Sequence, residues 1–196
     1  MKEDKNQEAW KRFLDPESLK TNLILVSLYI VAFEILEDII IERPREFFSN
    51  GFGEEELRRD KKKYTGHVLS KNKSPAYASL YWFKEMDGIN DEDIISYGKI
   101  KDCRNEIAHE ITRMLSEGLP RYWLDRFKSL LALITNIEQW WILNVELSTD
   151  PDYSGKDIKK ENIIPGAIVS IQLMLNIALG SENEAKYYYE EFKRMN

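Results

Sequence analysis

Arg104, Asn105 and His109 are the residues of this chain whose types and spacing could do chemistry together. Arginine is a permanent cation with a planar fork that suits phosphate. Histidine, with a reference pKa near ~6.5, takes or gives a proton at physiological pH. Asparagine can orient the imidazole or hydrogen-bond a ligand oxygen. The three together suit proton transfer at a phosphodiester without a metal, as in RNA cleavage by attack of the 2′-hydroxyl. The chain has one other histidine, His67, which lies in a basic stretch where exposure to water is the expected state.

The segment around them reads as a helix. Ile100, Cys103, Ile107, Ile111 and Met114 recur at steps of three or four, which keeps one face apolar and leaves Arg104, Asn105 and His109 off that face. At about 100° per residue, Asn105 and His109 lie nearly above one another, whereas Arg104 and His109 are about 140° apart. One straight helix does not easily aim both at one atom. Two facing copies in a two-fold dimer would bring two Arg and two His into one cleft. The bland alternative is that His109 bonds a neighbouring carbonyl and Arg104 forms an ordinary ion pair with a carboxylate on another helix.

Cys103-Arg104-Asn105-Glu106-Ile107-Ala108-His109 resembles the signature of the HEPN superfamily: an Arg, a polar residue that is often Asn, three more residues and a His. That resemblance implies an α-helical bundle with the motif on a late helix. It also implies a metal-independent endoribonuclease of the toxin–antitoxin or phage-defence kind, dimeric, with a composite site. Arg104 and His109 are then catalytic, with Asn105 in support. In the subgroup paired with nucleotidyltransferase antitoxins a Tyr often stands two residues after the His. Ile111 stands there instead, so this chain departs from that subgroup. The alternative is a HEPN-like module that has kept the fold without the chemistry and binds a nucleotide, RNA or a protein partner.

The elements that must position this segment read as helices throughout. Residues 1–14 are a charged lead-in with Trp10 and Phe13 as docking points. Asp15-Pro16-Glu17 starts a helix that should end by Glu42 or Arg43, because Pro44 disfavours continuation. Further helices are expected from Pro75 to Met86, from a cap at Asn90 or Asp91 to near Gly118, and from Pro120 to about Leu147. That last one carries the stripe Trp123, Leu124, Phe127, Leu130, Leu131, Ile134, Ile137, Trp141 and Val145. Ile163 to Leu179 and Glu182 to Met195 complete the set. No alternation suggests strands. The fold class is therefore all-α: an antiparallel helical bundle over 1–148, with a C-terminal helical extension over 149–196 packing on the same domain. Trp140-Trp141 and Tyr187-Tyr188-Tyr189 read as packing or interface residues.

Residues 49–75 differ, combining breakers with basic residues, and read as an exposed loop or short helix. Arg58, Arg59, Lys61, Lys62 and Lys63, with Tyr64 and His67 among them, could contact an RNA backbone; a solvated charged surface is the plainer reading. The net charge of −6 means that any polyanion would need such a local patch. One cysteine excludes an intramolecular disulfide framework and a CxxC metal site, and no metal or cofactor is expected. The charged N-terminus leads to no short apolar core, and the run from Leu23 to Phe33 is about half a membrane span. A cytoplasmic protein without membrane contact is expected, with RNA, a second copy and an antitoxin protein as partners.

Overall fold

The computed structural model describes residues 2–49, 54–153 and 155–195, and among these there is no strand. The longest element is α2 (Pro16–Phe47), preceded by α1 (Lys2–Leu14). Asp15 caps α2 by accepting the Ser18 amide at 3.0 Å, with Pro16 opening the first turn. The lead-in is thus a helix itself, docked by half-buried Ala9 and Phe13, while Trp10 stays 63% exposed.

α2 also runs through Pro44, past its expected end. Proline this close to the C-terminus removes one backbone hydrogen bond from the last turns only. Its ring is buried, and the flanking arginines are anchored: Arg43 bonds Glu138 through Nε at 2.8 Å and Nη2 at 3.0 Å, and Arg45 bonds Glu42. Burial and side-chain anchoring outweigh the local preference of the residue before proline.

Next come α3 (Glu54–His67), α4 (Pro75–Glu85), α5 (Asp91–Glu117) and α6 (Trp123–Trp141). A π-turn over Ile142–Glu146 and the short α7 (Leu147–Thr149) prolong α6. Pro120 lies in the turn before α6, where its carbonyl accepts the Trp123 amide, rather than in the helix. α8 (Gly166–Leu179) and α9 (Glu182–Met195) end the described chain.

Helices α2, α5 and α6 pack on one another and hold the core. Tyr29, midway along α2, meets Trp123 and Phe127 in the first turns of α6, and Arg43, near the end of α2, meets Glu138 and Trp141 near the end of α6, so these two run the same way. α5 runs against them: Tyr29 donates to the Ile100 carbonyl at 3.1 Å, and Tyr97, earlier in α5, donates to Glu37 at 2.9 Å. Trp82, Phe83 and Trp140 join α4 to α6 edge to face. Gly88 permits that approach, since a Cβ there would lie 3.0 Å from Trp140 Cδ2. Trp140 and the buried Trp141 are therefore packing residues. α8 rests on α2 and α6, and α9 on α8.

Two apolar positions face water against expectation. Leu124 is exposed because Trp123 and Phe127 take the inward positions of the first turn of α6. Ile111 is exposed because α5 breaks at Glu110, whose φ of −116° and ψ of 21° are non-helical; beyond the break Met114 resumes the buried stripe. No described helix is long and apolar enough to cross a membrane.

Candidate active site on the α2–α5 seam

Asn90 caps α5 by accepting the Asp93 amide at 3.0 Å, while the Asp93 carboxylate accepts the Asn90 amide at 3.1 Å. Ile94, Tyr97, Ile100, Cys103 and Ile107 then bury one face of the helix. Cys103 is buried beside the Tyr29 hydroxyl, and burial pushes its thiol pKa up, so it behaves as a small hydrophobe.

Arg104 emerges at the edge of that face, against α2. Its Nη2 donates to Glu34 Oε1 at 3.0 Å, and its Nη1 makes a long 3.5 Å contact to Asn105 Oδ1. Its Nε is buried without a partner. The guanidinium lies 5.5 Å from the centre of the Phe33 ring, which stacks on Tyr97, which in turn meets Tyr77 edge to face. Arg104 therefore rests on an aromatic bed with 35% of its side chain exposed. Lys101 lies over Tyr77 at 5.8 Å, adding a second cation to the same seam.

Glu34 and Glu37 are two of the three acidic interruptions in an otherwise apolar stretch of α2, and here these two acquire partners. Glu37 accepts the Tyr97 hydroxyl, whose pKa is raised by burial first and by that carboxylate second. Glu34 is half-exposed on Arg104. The ordinary ion pair considered from the sequence is thus present, and Glu34 is the residue that supplies it.

His109 is exposed, and no described residue hydrogen-bonds it. It is five residues beyond Arg104 and precedes the break at Glu110, so the break leaves the angle between the two unchanged. No hydrogen bond joins Arg104 to His109 within one copy. Glu106 and Glu110 face Arg113, which reaches both at 3.2 Å, and Tyr122 donates to Glu106. These carboxylates serve a local charge network. No group of three His, Cys, Asp or Glu side chains among the described residues is placed to hold a metal.

The basic stretch is the helix α3, where a loop or short helix was expected. Arg58, Arg59, Lys61, Lys62 and Lys63 are exposed on it. Tyr64 is buried instead, under the Arg45 guanidinium at 5.8 Å, and cannot reach a backbone phosphate. His67 stacks on Phe48 with ring centres 5.6 Å apart. The five cations of α3 share the helix with Glu54, Glu55, Glu56 and Asp60, so its net charge is only +1 and the cationic part is its second half. α3 lies against the end of α2, at Arg45 and Phe48, eleven residues beyond Glu34, or about 16 Å along the helix axis. One copy does not bring the basic helix onto Arg104.

Glu34, Phe33 and Tyr97 were missed as site residues by sequence reasoning. The available signal was Glu34 and Glu37 at i, i+3 in a buried helix, a spacing that demands polar partners. No protein-family model, curated protein or solved structure matches this chain.

Proposed function

We propose that the chain is a metal-independent endoribonuclease of HEPN type, with Arg104 and His109 forming a composite site between two copies. The supporting observation is the contrast in their surroundings. Arg104 rests on an aromatic bed with its Nη2 on the half-exposed Glu34, while His109, one and a half turns on, is exposed and hydrogen-bonded by no described residue. A histidine free of partners can exchange protons with a ligand, and an arginine preset on a bed loses little freedom on binding phosphate.

In the proposed reaction His109 takes the proton of the ribose 2′-hydroxyl. The 2′-oxygen attacks phosphorus, and the P–O5′ bond breaks. The leaving 5′-oxygen is protonated by the second copy's histidine, giving a 2′,3′-cyclic phosphate and a 5′-hydroxyl. Arg104 balances the charge that develops on the non-bridging oxygens, with Asn105 holding its fork. RNA phosphate displaces Glu34 to reach Arg104. That exchange is cheap, because half-exposed ion pairs contribute only about 0–1 kcal/mol. The exposed cations of α3 hold the flanking strand.

A toxin or phage-defence role, with an antitoxin partner, belongs to the same proposal. The Glu34 contact favours a second reading, in which the fold is kept and Arg104 only binds a nucleotide, RNA or a protein. RNA incubated with the purified chain in excess chelator separates them. Cyclic-phosphate and 5′-hydroxyl ends support the nuclease, whereas RNA that is bound but intact supports the binding module.

A further inference from the structure

The helix stripe that carries Asn105 and His109 begins one turn earlier, at Lys101. Residues 101, 105 and 109 recur at i, i+4, i+8 and so follow one line along α5, about 12 Å from end to end. Arg104 stands beside that line, about 60° round the helix from Lys101.

The two cations share one support. Phe33 stacks on Tyr97 with ring centres 6.3 Å apart, and Tyr97 meets Tyr77 edge to face at 5.2 Å. The Arg104 guanidinium lies 5.5 Å from the centre of the first ring, and Lys101 Nζ lies 5.8 Å from that of the last. A continuous row of three rings from α2, α5 and α4 thus underlies both charges.

Their partners differ. Arg104 holds Glu34, whereas Lys101 pairs with no carboxylate among the described residues. Two other lysines in the described chain are half-buried as Lys101 is, and both are paired: Lys71 with Glu85 and Lys84 with Asp91. In a chain of 34 acidic and 28 basic residues, a half-buried lysine fixed on a ring and left without a carboxylate keeps its charge for an outside anion.

We infer that Lys101 binds a phosphate of single-stranded RNA neighbouring the one held at Arg104, so that the strand lies along α5 past His109, Asn105 and Lys101. This rests on the proposed nuclease reading of the seam and extends it from the reacting phosphate to the path of the strand. Lysine suits the task, being a point charge that meets a phosphate from several directions. Its stem lies over Tyr77, so the side chain has less freedom to lose on binding. Lys101 is two turns from His109 and takes no part in proton transfer; it holds the strand in place.

The test follows binding of a single-stranded 2′-O-methyl RNA, whose blocked 2′-oxygen cannot attack, by fluorescence anisotropy across a salt series. Lys101→Ala should weaken binding and make the slope of log affinity against log salt shallower by about 0.7, the change for one phosphate no longer neutralised. Lys101→Gln, which keeps the stem over Tyr77, should do the same, and Lys101→Arg should keep the wild-type slope. Lys99→Ala, exposed and about 160° round the helix, should also keep it. In cleavage of unmodified RNA, Lys101→Ala should raise KM and leave kcat unchanged. A wild type that binds the strand but leaves RNA intact, with the slope still altered by Lys101→Ala, removes the nuclease reading and keeps the phosphate contact. RNA cleavage with a wild-type slope for Lys101→Ala and Lys101→Gln does the reverse and overturns the inference. A wild type that does not bind the strand overturns it too.

Discussion

Glu34 Oε1 lies 3.0 Å from Arg104 Nη2, so the guanidinium proposed to meet a phosphate already holds a carboxylate of the same chain. The pair joins α2 to α5 at the surface of the core, with 35% of the arginine side chain and 51% of the glutamate exposed. That exposure limits its worth to about 0–1 kcal/mol and makes it an exchangeable contact.

Replacing Glu34 by Gln should therefore change stability by less than about 1 kcal/mol in denaturant unfolding, while RNA binding tightens because the competing carboxylate is gone. Weaker binding by Glu34→Gln would show that the carboxylate positions Arg104 and does not compete with the ligand.

The Arg43–Glu138 pair should behave differently. Glu138 is 6% exposed and takes both Nε and Nη2 of Arg43, and its carboxylate holds that guanidinium firmly protonated. Glu138→Ala leaves Arg43 with only the more exposed Glu46 and Glu146, and should cost about 1–3 kcal/mol. Adding Arg43→Met to Glu138→Leu should recover much of that loss, since an apolar pair leaves no uncompensated charge. Equal losses for the single and double variants would contradict the assignment.

Asp15 gives a pH dependence. The Ser18 hydroxyl and amide both bond its carboxylate and hold its pKa below the usual aspartate value. A folded pKa lower than the unfolded one stabilises the native state above the unfolded value, and that stabilisation fades as pH falls through the folded value. Wild type should therefore melt above Asp15→Ala at pH 6, with the gap closing below about pH 4. A gap that persists at pH 2 would argue against the cap.

The helical architecture was legible in sequence because periodicity and caps report it locally. Asn90, Asp15 and the α6 stripe each predicted an element that is present. The run through Pro44 was not legible, because it depends on Glu138, which is ninety-five residues from Arg43. Arg104, Asn105 and His109 could be picked out by type and spacing, but their surroundings could not. Glu34 meets Arg104 across seventy residues, and the aromatic bed joins α2, α4 and α5. Ile111 faces outward because of a backbone break at Glu110, and the sequence shows no proline or glycine there to announce it.

The basic face of α3 makes a prediction about salt. If Arg58 and Lys62, one turn apart and both exposed, hold RNA phosphates, replacing both by Ala should weaken binding about equally for all sequences. The slope of log affinity against log salt should become shallower by about 0.7 for each phosphate that is no longer neutralised. An unchanged slope would return α3 to the role of a solvated helix.

The most direct measurement is RNA cleavage in excess chelator by wild type, Arg104→Ala and His109→Ala, with the fold of each checked by circular dichroism. His109 is exposed and hydrogen-bonded by no described residue, so its replacement should leave the fold and melting temperature intact. The nuclease proposal expects cleavage to 2′,3′-cyclic phosphate by wild type, with the rate falling by at least about 100-fold in each variant, the usual scale for removing a general acid–base group. Cleavage by His109→Ala at the wild-type rate would contradict it.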